Sequence, residues 1–311
     1  MSFTQEVKAE VCNNELLDCC KKAELAALIQ MCSSLTISNQ QFFLDIKTKN
    51  PTVAKRILFL LKQLYVVDTQ LYKLQQQKFK KKYSYTIKVS SNVTMILEDL
   101  SIWENGLINH HPRSPLVRKN CCGRAYLAGA FLAAGSINSP LSANYHWEIA
   151  CGDKKLANFI IKLLARHEIV GKVILRRNRQ VVYLKTSEKI GDFLRLVGAF
   201  DSLMKFEDAR IQRDYINNIH RLDNCDIANE MKVQRSSAKQ IEDIGIVLAK
   251  YGESNLDPKL MEVAQLRLDN PEVSFLDLSK LYEKKHHQPI SKSGIRHRLN
   301  RIKELAAKAK Q

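Results

Sequence analysis

Two stretches of the chain are apolar around nearly the whole circumference of a predicted helix, and the same patterns follow each. Residues 25–33 read LAALIQMCS and residues 127–135 read LAGAFLAAG, 102 positions later. After each stretch, alternating apolar and polar residues predict strands, and apolar residues three or four positions apart predict a helix between them. Both units therefore read helix, strands, helix, strands, helix, which indicates an internal duplication.

The predicted elements occupy matching places in the two units. In the first unit they are strands over 42–48, 67–74 and 83–89, and helices over 51–65 and from about 92. In the second unit they are strands over 145–151, 172–177 and 180–186, and helices over 153–168 and from about 188. We expect 25–33 and 127–135 to be buried helices, whose small residues would let two backbones approach closely.

Beyond about residue 222 the pattern predicts helices without strands, and we place a third domain there. The predicted fold is α+β, with domains over 1–110, 111–222 and 223–311. A chain of 311 residues with 45% hydrophobic residues is long enough for several packed cores.

The chain carries a formal net charge of +17, which indicates a negatively charged partner. Residues 225–311 hold 16 basic and 12 acidic side chains, so +13 of the charge lies on residues 1–224. No apolar run approaches the roughly 20 residues that span a bilayer, and the first ten residues lack an apolar signal core. We therefore expect double-stranded DNA rather than a membrane as the partner, and a cytoplasmic, nucleoid-associated location.

The eight cysteines include no CxxC pair. Cys19-Cys20 and Cys121-Cys122 are adjacent pairs, a spacing that suits neither a structural zinc site nor a local disulfide. We expect reduced, mostly buried thiols, with no metal and no cofactor.

The end of the chain predicts a helix-turn-helix over about 274–307. Ser274 can cap a short helix, and Pro289 prevents that helix from continuing. Ser291 can then cap a last helix, whose residues Ile295, Leu299 and Ile302 would face the preceding helices.

The other side of this last helix is a predicted DNA-reading face. Arginine can bond bidentately to guanine and asparagine to adenine, while serine near a helix start can contact phosphate or base. The predicted contact residues are Ser291, Lys292, Ser293, Arg296, His297, Asn300 and Arg301. The alternative is a basic amphipathic helix on a solvated surface.

The sequence resembles the WhiA family of sporulation and cell-division regulators. The opening SFTQEVKAEVC, the central GRAYLAGAFLAAGSINSP, the segment NCDIAN and the ending SKSGIRHRLNRIKELA are similar to that family over the whole chain. The resemblance implies a degenerate LAGLIDADG homing-endonuclease domain joined to a helix-turn-helix.

The resemblance implies that active nuclease relatives carry an acidic metal ligand at the eighth position of each LAGLIDADG motif. Here Cys32 and Ala134 occupy those positions, and neither can act as a hard oxygen ligand for magnesium. Asp45 and Glu148, on the following predicted strands, are the nearest replacements, although Asp45 fits an ordinary half-exposed sheet position. We expect no cleavage and no enzymatic activity.

Basic residues lie in equivalent turns of the two units, where the resemblance implies a DNA-gripping saddle. We predict phosphate contacts there, and solvated loops are the alternative. The residues are Lys80, Lys81 and Lys82, preceded by Lys78, in the first unit and Arg176, Arg177 and Arg179 in the second.

The leading interpretation is a DNA-binding regulator of cell division and chromosome segregation, with sporulation the role in some relatives. A metal-dependent homing endonuclease and an architectural, chromosome-associated adaptor are the alternatives. The duplicated domain could also bind a regulatory protein partner.

Overall fold

The computed structural model describes residues 1–38, 41–75, 83–112 and 114–310. The chain divides into two compact units, Met1–Arg213 and Asp214–Gln311, which are described separately. Within the described residues, every helix is too short or too polar to cross a membrane.

The first unit contains the succession helix, helix, strand, strand, helix, strand, strand, helix twice, with a β-hairpin added at the end of the first half, which confirms the predicted duplication. The first half comprises α1 (Phe3–Asn13), α2 (Asp18–Cys32), β1 (Ser33–Ser38), β2 (Gln41–Thr48), α3 (Pro51–Leu64), β3 (Thr69–Gln75), β4 (Tyr83–Val89), α4 (Val93–Asp99), β5 (Trp103–Glu104) and β6 (Leu107–Ile108). The second half comprises α5 (Ser114–Val117), α6 (Asn120–Ala134), β7 (Gly135–Ile137), β8 (Trp147–Cys151), α7 (Lys154–Ala165), β9 (Lys172–Arg176), β10 (Arg179–Leu184) and α8 (Ser187–Leu196). Each half forms its own antiparallel sheet, with strand orders β1-β2-β4-β3 and β7-β8-β10-β9.

α3 and α7 follow the inner strands β2 and β8 and begin in the same way. Asn50 caps α3 by accepting hydrogen bonds from the backbone amides of Thr52 and Val53, and Pro51 takes the first helical position. Asp153 caps α7 in the same way through the amide of Leu156. These caps end the strands and turn each helix back over its sheet.

The core of the first unit is built around α2 and α6, the two predicted buried helices. Residues Tyr126–Leu132 of α6 are all buried. A Cβ added to Gly129 would lie 2.4 Å from the carbonyl oxygen of Glu24 and 3.0 Å from the Cβ of Ala27. The two backbones therefore approach as closely as the small residues predict, and only glycine fits at the closest point.

Two strands and one hairpin were missed by the sequence patterns. β1 and β7 follow α2 and α6 directly, but β1 carries three serines and β7 is three residues long, so neither shows a clear alternation. The β5–β6 hairpin turns at Asn105 and Gly106, both at positive φ. An Asn-Gly pair with apolar residues nearby, here Trp103 and Leu107, is a hairpin signal in the sequence.

The second unit is entirely helical, as predicted. α9 (Phe200–Tyr251) extends across the division between the units, and α10 (Pro258–Asp269), α11 (Phe275–His286) and α12 (Lys292–Ala309) follow. Side chains from all four helices form one hydrophobic core, which includes Ile244, Val263, Tyr282 and Leu299.

Candidate nucleic-acid interface and the helix ends of the duplicated domain

α12 begins where the sequence predicts. The Ser291 hydroxyl accepts a hydrogen bond of 3.1 Å from the backbone amide of Gly294 and lies 2.8 Å from the Ser293 hydroxyl. Ile295, Leu299 and Ile302 are buried against the preceding helices, as the spacing predicts. The orientation of α12 in its unit is therefore determined by its apolar side.

The opposite side of α12 is exposed to solvent. All seven predicted contact residues are exposed: Ser291, Lys292, Ser293, Arg296, His297, Asn300 and Arg301. Arg301 donates a 2.8 Å hydrogen bond to Glu304, an exposed ion pair that another partner could replace at little cost. The arrangement presents hydrogen-bond donors and acceptors on one exposed helix face.

Arg298 lies on α12 but has a structural role. Its guanidinium donates hydrogen bonds to the Tyr282 hydroxyl at 3.0 Å and the Lys259 carbonyl at 3.3 Å. It also lies over the Tyr282 ring, 5.3 Å from the centroid. These contacts join α10, α11 and α12, so Arg298 belongs to the support of the exposed face and not to the face itself.

The predicted basic turn of the second half is a tight hairpin. Arg177 and Asn178 both have positive φ, which is the backbone of a two-residue turn between β9 and β10. Arg176, Arg177 and Arg179 are all exposed, and Arg176 lies 3.7 Å from Glu148. Lys78, Lys80, Lys81 and Lys82 lie outside the described residues.

The positions that correspond to nuclease metal ligands lie at the C-terminal ends of two helices. Cys32 is the last residue of α2, and Ala134 is the last residue of α6. Burial raises the pKa of the Cys32 thiol to about 11, so the sulfur stays protonated at neutral pH.

A lysine lies at the same helix ends, and the sequence patterns missed it. The Lys8 ammonium donates a 3.0 Å hydrogen bond to the carbonyl of Leu132, near the end of α6. Burial lowers the pKa of Lys8 to about 8, an effect that the nearby Cys32 opposes. A cation at a helix C-terminus interacts favourably with the free carbonyls, and it would repel a divalent metal ion.

Asp45 and Glu148 occupy equivalent sheet positions, each opposite a serine. Asp45 pairs in register with Ser34 and is half-buried, while its neighbours Leu44 and Ile46 point into the core. The Glu148 carboxylate accepts hydrogen bonds from the Ser136 hydroxyl at 3.2 Å and from His146 at 3.0 Å.

Burial alone would raise the pKa of Glu148, but the hydrogen bonds from His146 and Ser136 lower it below its usual range. This carboxylate is therefore satisfied by its own sheet. The geometry agrees with the ordinary role predicted for these strand positions.

Four cysteines that are far apart in sequence lie together. The sulfur atoms of Cys19, Cys20, Cys121 and Cys122 are all within 4.8 Å of one another. Burial raises the pKa of the Cys122 thiol to about 12, while a hydrogen bond from Cys20 lowers the pKa of Cys121. The sequence contains a signal that these pairs meet, because Cys19 and Cys121 are 102 positions apart, like the two apolar stretches.

Three family models match successive parts of the chain. The WhiA N-terminal LAGLIDADG-like domain matches residues 18–103, the WhiA LAGLIDADG-like domain matches residues 123–215, and the WhiA C-terminal helix-turn-helix domain matches residues 219–306. The protein class is therefore a pair of LAGLIDADG-like domains followed by a helix-turn-helix, which confirms the predicted α+β fold.

Relatives match the chain from end to end. It is 41% identical over 307 residues to the "Probable cell division protein WhiA" of Bacillus subtilis strain 168, covering 98% of this chain and 96% of that protein. The protein of the same name from Staphylococcus aureus strain USA300 is 37% identical over 308 residues, covering 99% and 97%. The crystal structure of full-length DUF199/WhiA from Thermotoga maritima has a TM-score of 0.60, with 25% identity and 99% of both chains covered. The chain belongs to the WhiA family, as its motifs predict.

Proposed function

We propose that this chain is a DNA-binding regulator of cell division and chromosome segregation that works in the cytoplasm at the nucleoid. The exposed polar side of α12 supports this proposal most strongly. Its apolar side is used for packing, so the seven exposed residues from Ser291 to Arg301 remain available for a ligand. The names of the curated relatives, which are cell division proteins, support the cellular role.

In this proposal, α12 reads sequence in the major groove. Recognition helices of helix-turn-helix proteins contact base edges with their N-terminal residues. Arg296 and Asn300 lie one turn apart on α12, so their side chains can reach neighbouring bases. Ser291 and Lys292, at the start of the helix, would contact phosphate.

The basic residues of the duplicated domain would add affinity without sequence preference. Arg177 projects from a tight turn, and phosphate contacts of this kind release counterions whatever the sequence. Arg177→Ala should reduce the salt dependence of DNA binding by about one counterion and leave sequence preference unchanged. Titrating DNA binding against salt concentration checks this, and an unchanged slope would place Arg177 in a solvated loop.

The experiment that tests the reading helix uses duplexes selected from a random DNA library by the full-length protein. A double variant, Arg296→Ala with Arg301→Ala, should bind the selected sequence about 30-fold or more weakly, because each bidentate base contact is worth about 1–3 kcal/mol. Lys308→Ala is the control, since it removes one positive charge from the same helix, about 18 Å from Arg296 and about 10 Å from Arg301 along the axis.

The same selection experiment distinguishes a sequence-specific regulator from an architectural adaptor. A regulator should enrich one sequence motif, whereas an adaptor held by phosphate contacts should enrich none. Replacing the chromosomal gene with the double variant should affect cell division as strongly as deleting the gene. Normal division in that strain would favour a role for the duplicated domain with a protein partner.

We infer that the duplicated domain is catalytically inactive. Cys32 and Ala134 supply no oxygen ligand, and the Lys8 ammonium lies beside the same helix ends. Supercoiled DNA incubated with the protein and magnesium or manganese should stay intact. Nicking that disappears on changing Asp45 or Glu148 would contradict this inference.

A further inference from the structure

The four sulfur atoms of Cys19, Cys20, Cys121 and Cys122 have the spacing of ligands around one metal ion. A tetrahedral zinc ion with zinc–sulfur bonds of about 2.3 Å requires sulfur atoms about 3.8 Å apart. The sulfur atoms of Cys19 and Cys20 are 3.9 Å apart, and those of Cys121 and Cys122 are also 3.9 Å apart. The sulfur–sulfur distance within each adjacent pair therefore already suits a shared metal ion, although adjacent positions in sequence argue against one.

The duplication explains how two adjacent pairs make one site. Cys19 and Cys20 are the second and third residues of α2, and Cys121 and Cys122 are the second and third residues of α6. Because α2 and α6 pack closely along their length, their first turns meet as well. The Cys122 thiol lies 3.6 Å from the backbone oxygen of Cys19, directly across this junction. Two ligands from each repeat complete a set of four.

Two opposing effects act on these thiols: burial raises the pKa of Cys20 and Cys122, whereas the helix ends favour the anionic form. A helix N-terminus carries a partial positive charge that stabilises a nearby anion, and here two such ends converge. The residues that precede the helices are Leu17 and Lys119, whose side chains cannot accept hydrogen bonds from the first-turn amides.

The site is reachable from solvent. A cleft of about 330 Å³ is lined by Cys20, Cys121 and Arg124, among other residues of the first unit. Cys19 and Cys121 are half-buried, while Cys20 and Cys122 are buried. A metal ion can thus enter from the cleft. The half-buried ligands Cys19 and Cys121 remain partly exposed to solvent.

We propose that Cys19, Cys20, Cys121 and Cys122 bind one zinc ion, which links the N-terminal ends of α2 and α6. A single ion fits better than an iron–sulfur cluster, because a cluster places its thiolates on different irons and so needs a wider ligand set than 4.8 Å. Four soft thiolates in tetrahedral arrangement select zinc among the abundant divalent ions. The ion would stabilise the contact between the two repeats, with all four coordination positions filled by protein.

The test begins with the reduced, full-length protein, prepared without metal and titrated anaerobically with cobalt(II) and then zinc. One cobalt per chain should give thiolate-to-cobalt charge-transfer bands and the intense visible bands of tetrahedral coordination, and zinc should remove both. Zinc should also raise the Tm, because a ligand that binds only the folded state stabilises it. Absence of thiolate–cobalt bands in folded, fully reduced protein would overturn the proposal.

Variants identify the ligands. Cys19→Ser with Cys121→Ser changes the two half-buried ligands and should reduce bound zinc from about one per chain to none at low micromolar zinc. Two controls should keep the ion: Cys225→Ser, at an exposed cysteine, and Cys151→Ser, at a buried cysteine outside the cluster. Retention of the ion by the double variant would overturn the proposal, as would its loss from Cys151→Ser that remains folded by circular dichroism.

Treatment with an oxidant distinguishes a metal site from a disulfide switch at the four cysteines. If zinc occupies the cluster, mild oxidant should leave these four thiols reduced until the ion is removed with a chelator. Rapid loss of four free thiols per chain with zinc present, detected by thiol counting and mass spectrometry, would contradict metal binding and favour disulfide exchange.

Discussion

α6 of the first unit and α12 of the second are helices of similar length that use their surfaces in opposite ways. α6 is buried on nearly all sides from Tyr126 to Leu132, and it touches the α2 backbone at Gly129. α12 buries Ile295, Leu299, Ile302 and Ala306 along one stripe and exposes the rest. A helix without an exposed face can position other groups but cannot read a ligand, so changes in α6 should act on stability and changes on the exposed side of α12 on binding.

The largest expected effect comes from two neighbours on opposite sides of α12. Leu299→Ala removes a buried side chain and should lower the free energy of unfolding by about 2–5 kcal/mol, because a cavity remains. Asn300→Ala, on the exposed side, should leave stability within about 0.5 kcal/mol. It should still weaken binding to the selected DNA by about 1–3 kcal/mol.

Urea denaturation and DNA titration of both variants measure the two quantities separately. If Asn300→Ala destabilises the protein without changing its DNA affinity, the distinction between the two sides of α12 fails.

Glycine substitutions in α6 test the buried helix of this comparison. Gly129→Ala places a methyl group 2.4 Å from the Glu24 carbonyl oxygen, and forcing the backbones apart should cost about 1–3 kcal/mol. Gly123→Ala on the same helix meets its nearest atom at 3.7 Å and should be neutral or slightly stabilising. Thermal denaturation compares them, and equal Tm values would mean that the helix pair can separate without strain.

The smallest expected effect is a pH dependence at the helix ends. Burial lowers the pKa of Lys8 to about 8, whereas a lysine in the unfolded chain titrates near 10.4. Between these values the unfolded state binds more protons, so Lys8 makes the free energy of unfolding rise with pH and fall as pH drops towards 8. Lys8→Met should lack this rise.

The measurement is the difference between wild-type and Lys8→Met unfolding free energies from pH 7 to 11. Taking the difference removes the opposite contribution of buried thiols away from Lys8, such as Cys151, whereas Cys12 and Cys32 lose a neighbouring positive charge in Lys8→Met. Parallel curves would show that Lys8 titrates normally and is not held at the helix ends.

Local patterns predicted most of the secondary structure and the exposed polar side of α12. Ser291 caps α12, and Leu299 and Asn300 fall on opposite sides, because helix caps and helical periodicity depend on residues within a turn or two of each other. β1 and β7 escaped prediction, since they are held by pairing with β2 and β8 and not by a pattern of their own.

The sequence by itself determined the duplication, the helix-turn-helix, the family and the absence of acidic residues at Cys32 and Ala134. Only the tertiary structure decided that Lys8 reaches the end of α6 and that two cysteine pairs 102 residues apart meet. The physical reason is that such contacts depend on the distance at which α1 and α2 pack against α6. That distance is a property of the assembled core, to which distant residues such as Ala27 and Gly129 contribute jointly.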